Sequence, residues 1–230
     1  MCGRFALWAD REAIEARFRV RLKNAPTPRY NIAPSQDILA IRGTRDHARK
    51  SAHLRWGLVP HWARGPNSGY RMINARSESV FDKPAYRSAI RRRRCLIPAS
   101  AFFEWKRSER GKQPYRIRVL DAEIFSLAGI WERWTNEESR EMVESCAILT
   151  TRANEAVRKL HDRMPVIIQP ESEDLWLDPA LEDPESLRSL LEPISEKSME
   201  VLTVSRSVNN PANDNPSVAR PLEGRQDESP

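Results

Sequence analysis

With 230 residues, 40% of them apolar and 30% charged, the chain can bury one sizeable core and is far from the composition of a disordered protein. No apolar run approaches the ~20 residues that span a bilayer, and Met1 to Asp10 lacks the hydrophobic centre of a signal peptide, so no membrane is expected and the expected compartment is the cytoplasm. The net charge of +6 is unevenly placed: residues 1–120 hold 27 of the 38 Lys and Arg but 9 of the 32 Asp and Glu, which predicts a basic face for a polyanion unless ion pairs between the halves cancel it.

Asp10 is placed to cap a helix over 11–20, with Ile14 and Phe18 on its buried face. The three prolines of "NAPTPRYNIAPSQ" predict an extended, irregular segment. Short apolar runs follow in "DILAIR", "LRWGLVP", "RCLIPASAFFEW", "YRIRVL", "IFSLAGIWERW" and "VESCAILTT". Several alternate apolar and polar residues, as half-buried antiparallel strands do. Between them, "DKPAYRSAIRRR" predicts a helix with Pro84 in its first turn and Ala85 and Ala89 on one face. A helix near 152–160, short acidic helices in "PESEDLWL" and "DPESLRSLLEP", and a late strand in "SMEVLTVS" complete the pattern. No repeat or linker divides it. One mixed domain is expected, its last stretch from about Asn209 rich in Pro, Asn, Ser and charge and flexible at its end.

Chemistry enters at the first residues. Cys2, Cys95 and Cys146 are odd in number and widely spaced, which suits neither a disulfide framework nor zinc; no metal and no cofactor is expected. Cys95 and Cys146 sit among apolar residues and read as buried, inert thiols. Cys2 differs, because methionine aminopeptidases remove an initiator methionine ahead of a small residue. The product carries an α-amine, of pKa ~7.7–8.0, and a thiol on one residue. That pair can condense with an aldehyde to an imine and close a five-membered thiazolidine, or the thiol can attack an amide as N-terminal-nucleophile hydrolases do.

Glu104, in "AFFEWK", is either a carboxyl pressed among aromatics with a raised pKa or the outward residue of an alternating strand. His161, in "KLHDRMP", is either a proton shuttle or structural, whereas His47, His53 and His61 have no comparable setting. On an extended strand Asn74 and Arg76 of "MINARSE" would share a face, offering an amide and a cation; turn chemistry with a solvated arginine is the other reading. "RRRRC" reads as a solvated or phosphate-facing patch. Trp62 and Trp105 could stack on unpaired bases or lie in the core, and Trp56 reads as core.

Taken in order, "CGRF", "YNIAPSQ", "WGLVPHW", "INARSES", "RRCLIPASAFFEW", "LTTRAN" and "LHDRMPVII" resemble the SRAP family of SOS-response-associated, abasic-site-processing proteins from Cys2 to about Pro216. The resemblance implies a compact α+β domain over residues 2–216 around a curved, mainly antiparallel, barrel-like sheet with peripheral helices, leaving residues 217–230 as a polar, flexible tail. It implies a partner, single-stranded DNA containing an abasic site, and a covalent thiazolidine between Cys2 and the opened sugar, with a lyase side reaction and self-processing, peptidase-like removal of Met1. On this pattern Cys2 is the nucleophile, Asn74 positions the sugar, and Glu104 and His161 move protons, with Glu104 also reversing the crosslink. Arg4, Arg76 and Arg163 match positions that contact the DNA backbone, and Trp105 one beside the neighbouring bases. A monomer suits such a substrate. Ala101 and Phe103 depart from the Gly and Tyr of many members, so a phenol near Glu104 is expected to be missing. An N-terminal-nucleophile amidase and a non-covalent single-stranded-DNA-binding domain are the other readings.

Overall fold

None of the short apolar runs can bury itself, so they pair with one another, some with their neighbours in sequence and others across long stretches of chain. The computed structural model describes residues 2–108 and 111–222. In chain order it contains β1 (Phe5–Leu7), α1 (Arg11–Phe18), β2 (Arg29–Ile32), β3 (Asp37–Gly43), β4 (Arg49–Trp56), β5 (Asn74–Arg76), α2 (Arg87–Arg92), β6 (Arg94–Ala99) and β7 (Ala101–Ser108). There follow β8 (Gly111–Val119), β9 (Phe125–Thr135), β10 (Met142–Arg152), α3 (Glu155–Arg158), β11 (Arg163–Pro165), β12 (Ile167–Ile168), α4 (Glu173–Leu177), α5 (Pro184–Ser189) and β13 (Met199–Thr203).

Among the described residues these strands form two sheets, one ordered β13-β8-β7-β1-β2 and one ordered β11-β10-β4-β3-β6-β9-β12. Because β10 also pairs with β9, the strands β10, β4, β3, β6 and β9 close into a barrel. The pairings are antiparallel except those of β10 with β4 and with β5. The chain is therefore one α+β domain with a curved, mainly antiparallel sheet, as expected.

α1 forms as its sequence predicts: Ala13 N–H donates to Asp10 Oδ1 at 2.8 Å, and Ile14 and Phe18 are buried. Several expectations need correction. "RCLIPASAFFEW" is two strands in two sheets, broken at Ser100, whose N–H crosses to Ala6 O. β6 shows no alternation: it is buried along its whole length, with α2 and α4 packed against it. The helix expected from residue 82 begins at Arg87, after turns in which Lys83 and Tyr86 N–H bond back to Ser79 O and Lys83 O, leaving Pro84 ahead of it. The helix expected near 152–160 shrinks to Glu155–Arg158 because β10 runs to Arg152; Asn154 caps it through Val157 N–H.

The basic and acidic halves of the sequence pair with each other, both in buried sites and at the surface. Arg17 and Arg49 pair with Glu173, Arg42 with Glu144, Arg92 with Glu182, Arg93 with Glu132 and Arg116 with Glu200. The "RRRR" run is thus no open patch. Arg94 is buried, and its guanidinium donates to Ile90 O and Arg91 O at the end of α2 and to Trp176 O and Asp178 O at the end of α4. It satisfies carbonyls that helix ends leave without partners, and burial lowers its pKa to about 10.

A second, smaller core gathers Ala6, Phe103, Val204, Val208, Val218 and Ala219. The segment after β13 straps across β1 and β2: Asp214 accepts from Tyr30 and Asn31 N–H, and buried Asn31 donates to the carbonyls of Val208, Asn210 and Asn213. The tail expected from 217 therefore starts too early. Val218 and Ala219 are buried and Leu222 N–H bonds Thr203 O; residues 223–230 of that expectation lie outside the described residues.

Candidate functional site

Residues 2–4 continue β1 alongside β7. Phe5 pairs with Phe102, and Phe103 N–H donates to Arg4 O at 2.9 Å, so the chain start runs past Glu104 and Trp105. Cys2 is fully buried, with Sγ 4.0 Å from Arg4 O. Its carbonyl accepts from Asn74 Nδ2 at 2.8 Å. Asn74 opens β5, and its Oδ1 is buried with no hydrogen-bond partner among the described residues. Burial, reinforced by the nearby Glu104 carboxylate, pushes the Cys2 thiol up to about 12.

Glu104 lies in the half of β7 that is covered on both faces, not outward on an alternating strand. Burial raises its carboxyl above the ordinary range. Phe103 points to the other face, into the second core, so a phenol at that position would not reach the Glu104 side. Register instead places Tyr115 opposite Glu104.

Glu104→Gln is expected to be more stable than wild type at neutral pH. A carboxyl whose pKa is raised on folding binds its proton to higher pH than in the unfolded chain. Wild-type stability therefore falls as pH rises from the ordinary Glu range through the raised value. The amide has no such fall. A gain of about 1 kcal/mol in urea unfolding at pH 7, absent at pH 4, is the expected reading; an equal or lower stability at pH 7 would contradict it.

His161 stands in the loop between α3 and β11. Its Nδ1 accepts the Arg163 backbone N–H at 3.0 Å, and a backbone N–H can only donate, so the neutral ring carries its proton on Nε2. Burial lowers its pKa, which keeps the ring neutral near pH 7. Asp162 Oδ1 lies 2.8 Å from the same Nδ1 and competes for a proton there, but its side chain is 85% exposed and can turn to solvent while the ring is neutral; once the ring is protonated it is the partner of Nδ1.

The arginines differ among themselves. Arg76 is exposed and makes no ion pair among the described residues, while Arg163 is held by Glu78. β10 lies between them, with Thr150 opposite Arg76 and Arg152 opposite Arg163. Arg4 Nη1 donates to Asn31 Oδ1 and Val208 O, so this side chain ties down the C-terminal strap. Its guanidinium also lies 5.8 Å from the Trp105 ring centroid. Trp105 is half-buried, and its Nε1 donates to Asn209 Oδ1 at 2.7 Å. Trp56 is in the core and Trp62 is exposed. Cys95 and Cys146 are buried and free, their thiols pushed up by burial.

Asn31, Glu78 and Asn209 support the site, and no role was read for them from sequence. Glu78 lies within the quoted "INARSES". Asn31 lies within "YNIAPSQ", but its partners, like the Trp105 partner of Asn209, are distant in the chain and no local pattern announces them. Among the described residues no cluster of His, Cys, Asp and Glu could hold a metal, and no helix is long and apolar enough to cross a membrane.

The model of the SOS response associated peptidase (SRAP) family matches residues 1–211. Abasic site processing protein YoqW of Bacillus subtilis is 41% identical over 222 residues, covering 95% of this chain and 98% of that protein. Abasic site processing protein YedK of Escherichia coli is 29% identical, covering 77% of this chain and 79% of its own. A crystal structure of a protein from Bacteroides thetaiotaomicron superposes with a TM-score of 0.87 at 27% identity, over 96% of this chain and all of that one.

Proposed function

Since this chain belongs to the SRAP family, we propose that it processes abasic sites in single-stranded DNA, capturing the opened sugar as a thiazolidine on Cys2. The observation that carries the reading is the placement of Cys2, gripped by Asn74 and within electrostatic reach of Glu104, at the very start of the chain. The names of the relatives support the substrate class.

Loss of Met1 turns the Cys2 backbone nitrogen into an α-amine. The amine adds to the sugar aldehyde and water leaves, giving an imine. The thiol then adds across the C=N bond: sulfur bonds the carbon and the thiol proton ends on nitrogen. A thiol held protonated by burial favours this order, amine first and sulfur second. Glu104, with its raised pKa, is the carrier for the thiol proton and, run backwards, for release. Neutral His161 offers Nε2–H to the ring oxygen as the sugar opens. Asn74 Oδ1 accepts from a sugar hydroxyl. Arg76 meets a backbone phosphate and Trp105 a neighbouring base. The imine also permits β-elimination, which accounts for a lyase activity. The protein acts as a monomer in the cytoplasm.

Incubation with an abasic oligonucleotide, followed by intact-mass measurement, tests this. The expected product is the chain without Met1 plus the oligonucleotide minus one water, stable to heat, detergent and high salt. An acyl adduct with amide substrates would favour the amidase reading. Binding fully reversed by salt, with no added mass, would leave only a non-covalent DNA-binding domain.

A further inference from the structure

Arg163 matches a position expected to meet phosphate, yet its guanidinium already has partners. Nη1 donates to Glu78 Oε1 at 2.5 Å and Nη2 to Glu78 Oε2 at 2.9 Å, the forked geometry that gives such pairs direction as well as strength. Nη2 also donates to Thr150 O at 2.6 Å. The Arg163 side chain is only 12% exposed, against 55% for Glu78, so this is not the open surface pair that contributes little. The hydrogen bond from Arg163 holds the Glu78 carboxyl below the usual carboxylate range.

The clamp secures the entry to β11. That strand has three residues, and Pro165 has no N–H for the ladder, so main-chain pairing with β10 holds it weakly. The guanidinium joins it to β10 at Thr150 and to the turn just beyond Arg76. The same Arg163 supplies the backbone N–H that binds His161 Nδ1.

We propose that Glu78 is a positioning residue: by gripping the Arg163 side chain it fixes the backbone N–H that sets the tautomer and aim of His161, and it ties that imidazole to the strand carrying Asn74. The kinetic consequence rests on the abasic-site reading, whereas the tautomer consequence needs no DNA.

Two measurements on wild type and Glu78→Gln test it. In the DNA-free protein, above the imidazole titration, ¹⁵N NMR of the ring nitrogens, assigned with His161→Gln, should show wild-type Nδ1 bare and Nε2 protonated. Glu78→Gln should move both nitrogens towards an averaged shift. In single-turnover capture of an abasic oligonucleotide, the limiting rate should fall about 10-fold while the half-saturating protein concentration stays within about twofold, because aim rather than binding is lost. Unaltered nitrogen shifts in Glu78→Gln overturn the proposal. So does a wild-type limiting rate with several-fold tighter half-saturation, which would make Glu78 a competitor of the DNA phosphate. If wild type captures nothing and the shifts still move, positioning stands and the abasic-site reading falls. Should Glu78→Gln fail to fold, Glu78→Asp keeps the charge one methylene short and is read by the same two criteria.

Discussion

Cys2→Ala is expected to form no heat-stable adduct with abasic DNA. The variant still has an α-amine once Met1 is gone, so it still forms an imine, but an imine hydrolyses on heating unless borohydride reduces it first. Only a sulfur on the same residue closes a ring that survives heating, and intramolecular closure carries an effective concentration that no external thiol matches. The loss of unreduced adduct should be on the order of 10²-fold or more, while borohydride-trapped adduct is retained. Cys2→Ser keeps the size of the buried side chain and separates chemistry from packing. It should behave like Cys2→Ala, because an oxygen-containing ring reopens readily. Denaturing gels with and without borohydride are sufficient. Equal unreduced adduct from wild type and Cys2→Ala would remove sulfur from the mechanism altogether.

The largest effect on stability is expected at Glu173, away from this chemistry. Its side chain is 1% exposed and accepts from Arg17, Arg49 and Ser126. Arg49 is itself 5% exposed. Glu173→Ala strands these cations in a poorly solvated site, and breaking a buried pair from one side typically costs several kcal/mol. Asp174 still reaches Arg49, which moderates the loss. About 3 kcal/mol in urea unfolding, or roughly 6–12 °C in Tm, is the expected reading. A change below ~1 kcal/mol would mean that the pair behaves as a surface one.

Much of the fold was legible because its signals are local. Asp10 caps α1 through a residue three positions away, and the short apolar runs, several of them alternating, announced β3, β4, β6 to β10 and β13. The break at Ser100 was not legible: residues on either side are equally apolar, and only pairing assigns β6 to the barrel and β7 to the other sheet. Glu104 shows the same limit within the site. Its aromatic neighbours suggested a raised pKa, yet alternation allowed an outward carboxylate equally well. Burial of both faces of β7 decides between them. Of the expected DNA contacts, Arg76 is open, Arg4 is committed to the strap and Arg163 to Glu78, a distinction no local pattern carries.

By itself the sequence determined which chemistry is available: a thiol at position 2, an amide, a carboxyl and an imidazole in distinctive settings, and strands enough for one α+β domain. Tertiary structure alone decided who meets whom. Asn74 reaches Cys2 across 72 positions, Arg163 reaches Glu78 across 85, and Arg17 reaches Glu173 across 156. Charge and hydrogen bonding are properties of pairs, and burial depends on every neighbour at once. The number of arginines can therefore be read from sequence, while the number left free for a phosphate emerges only after the two halves of the chain have folded against each other.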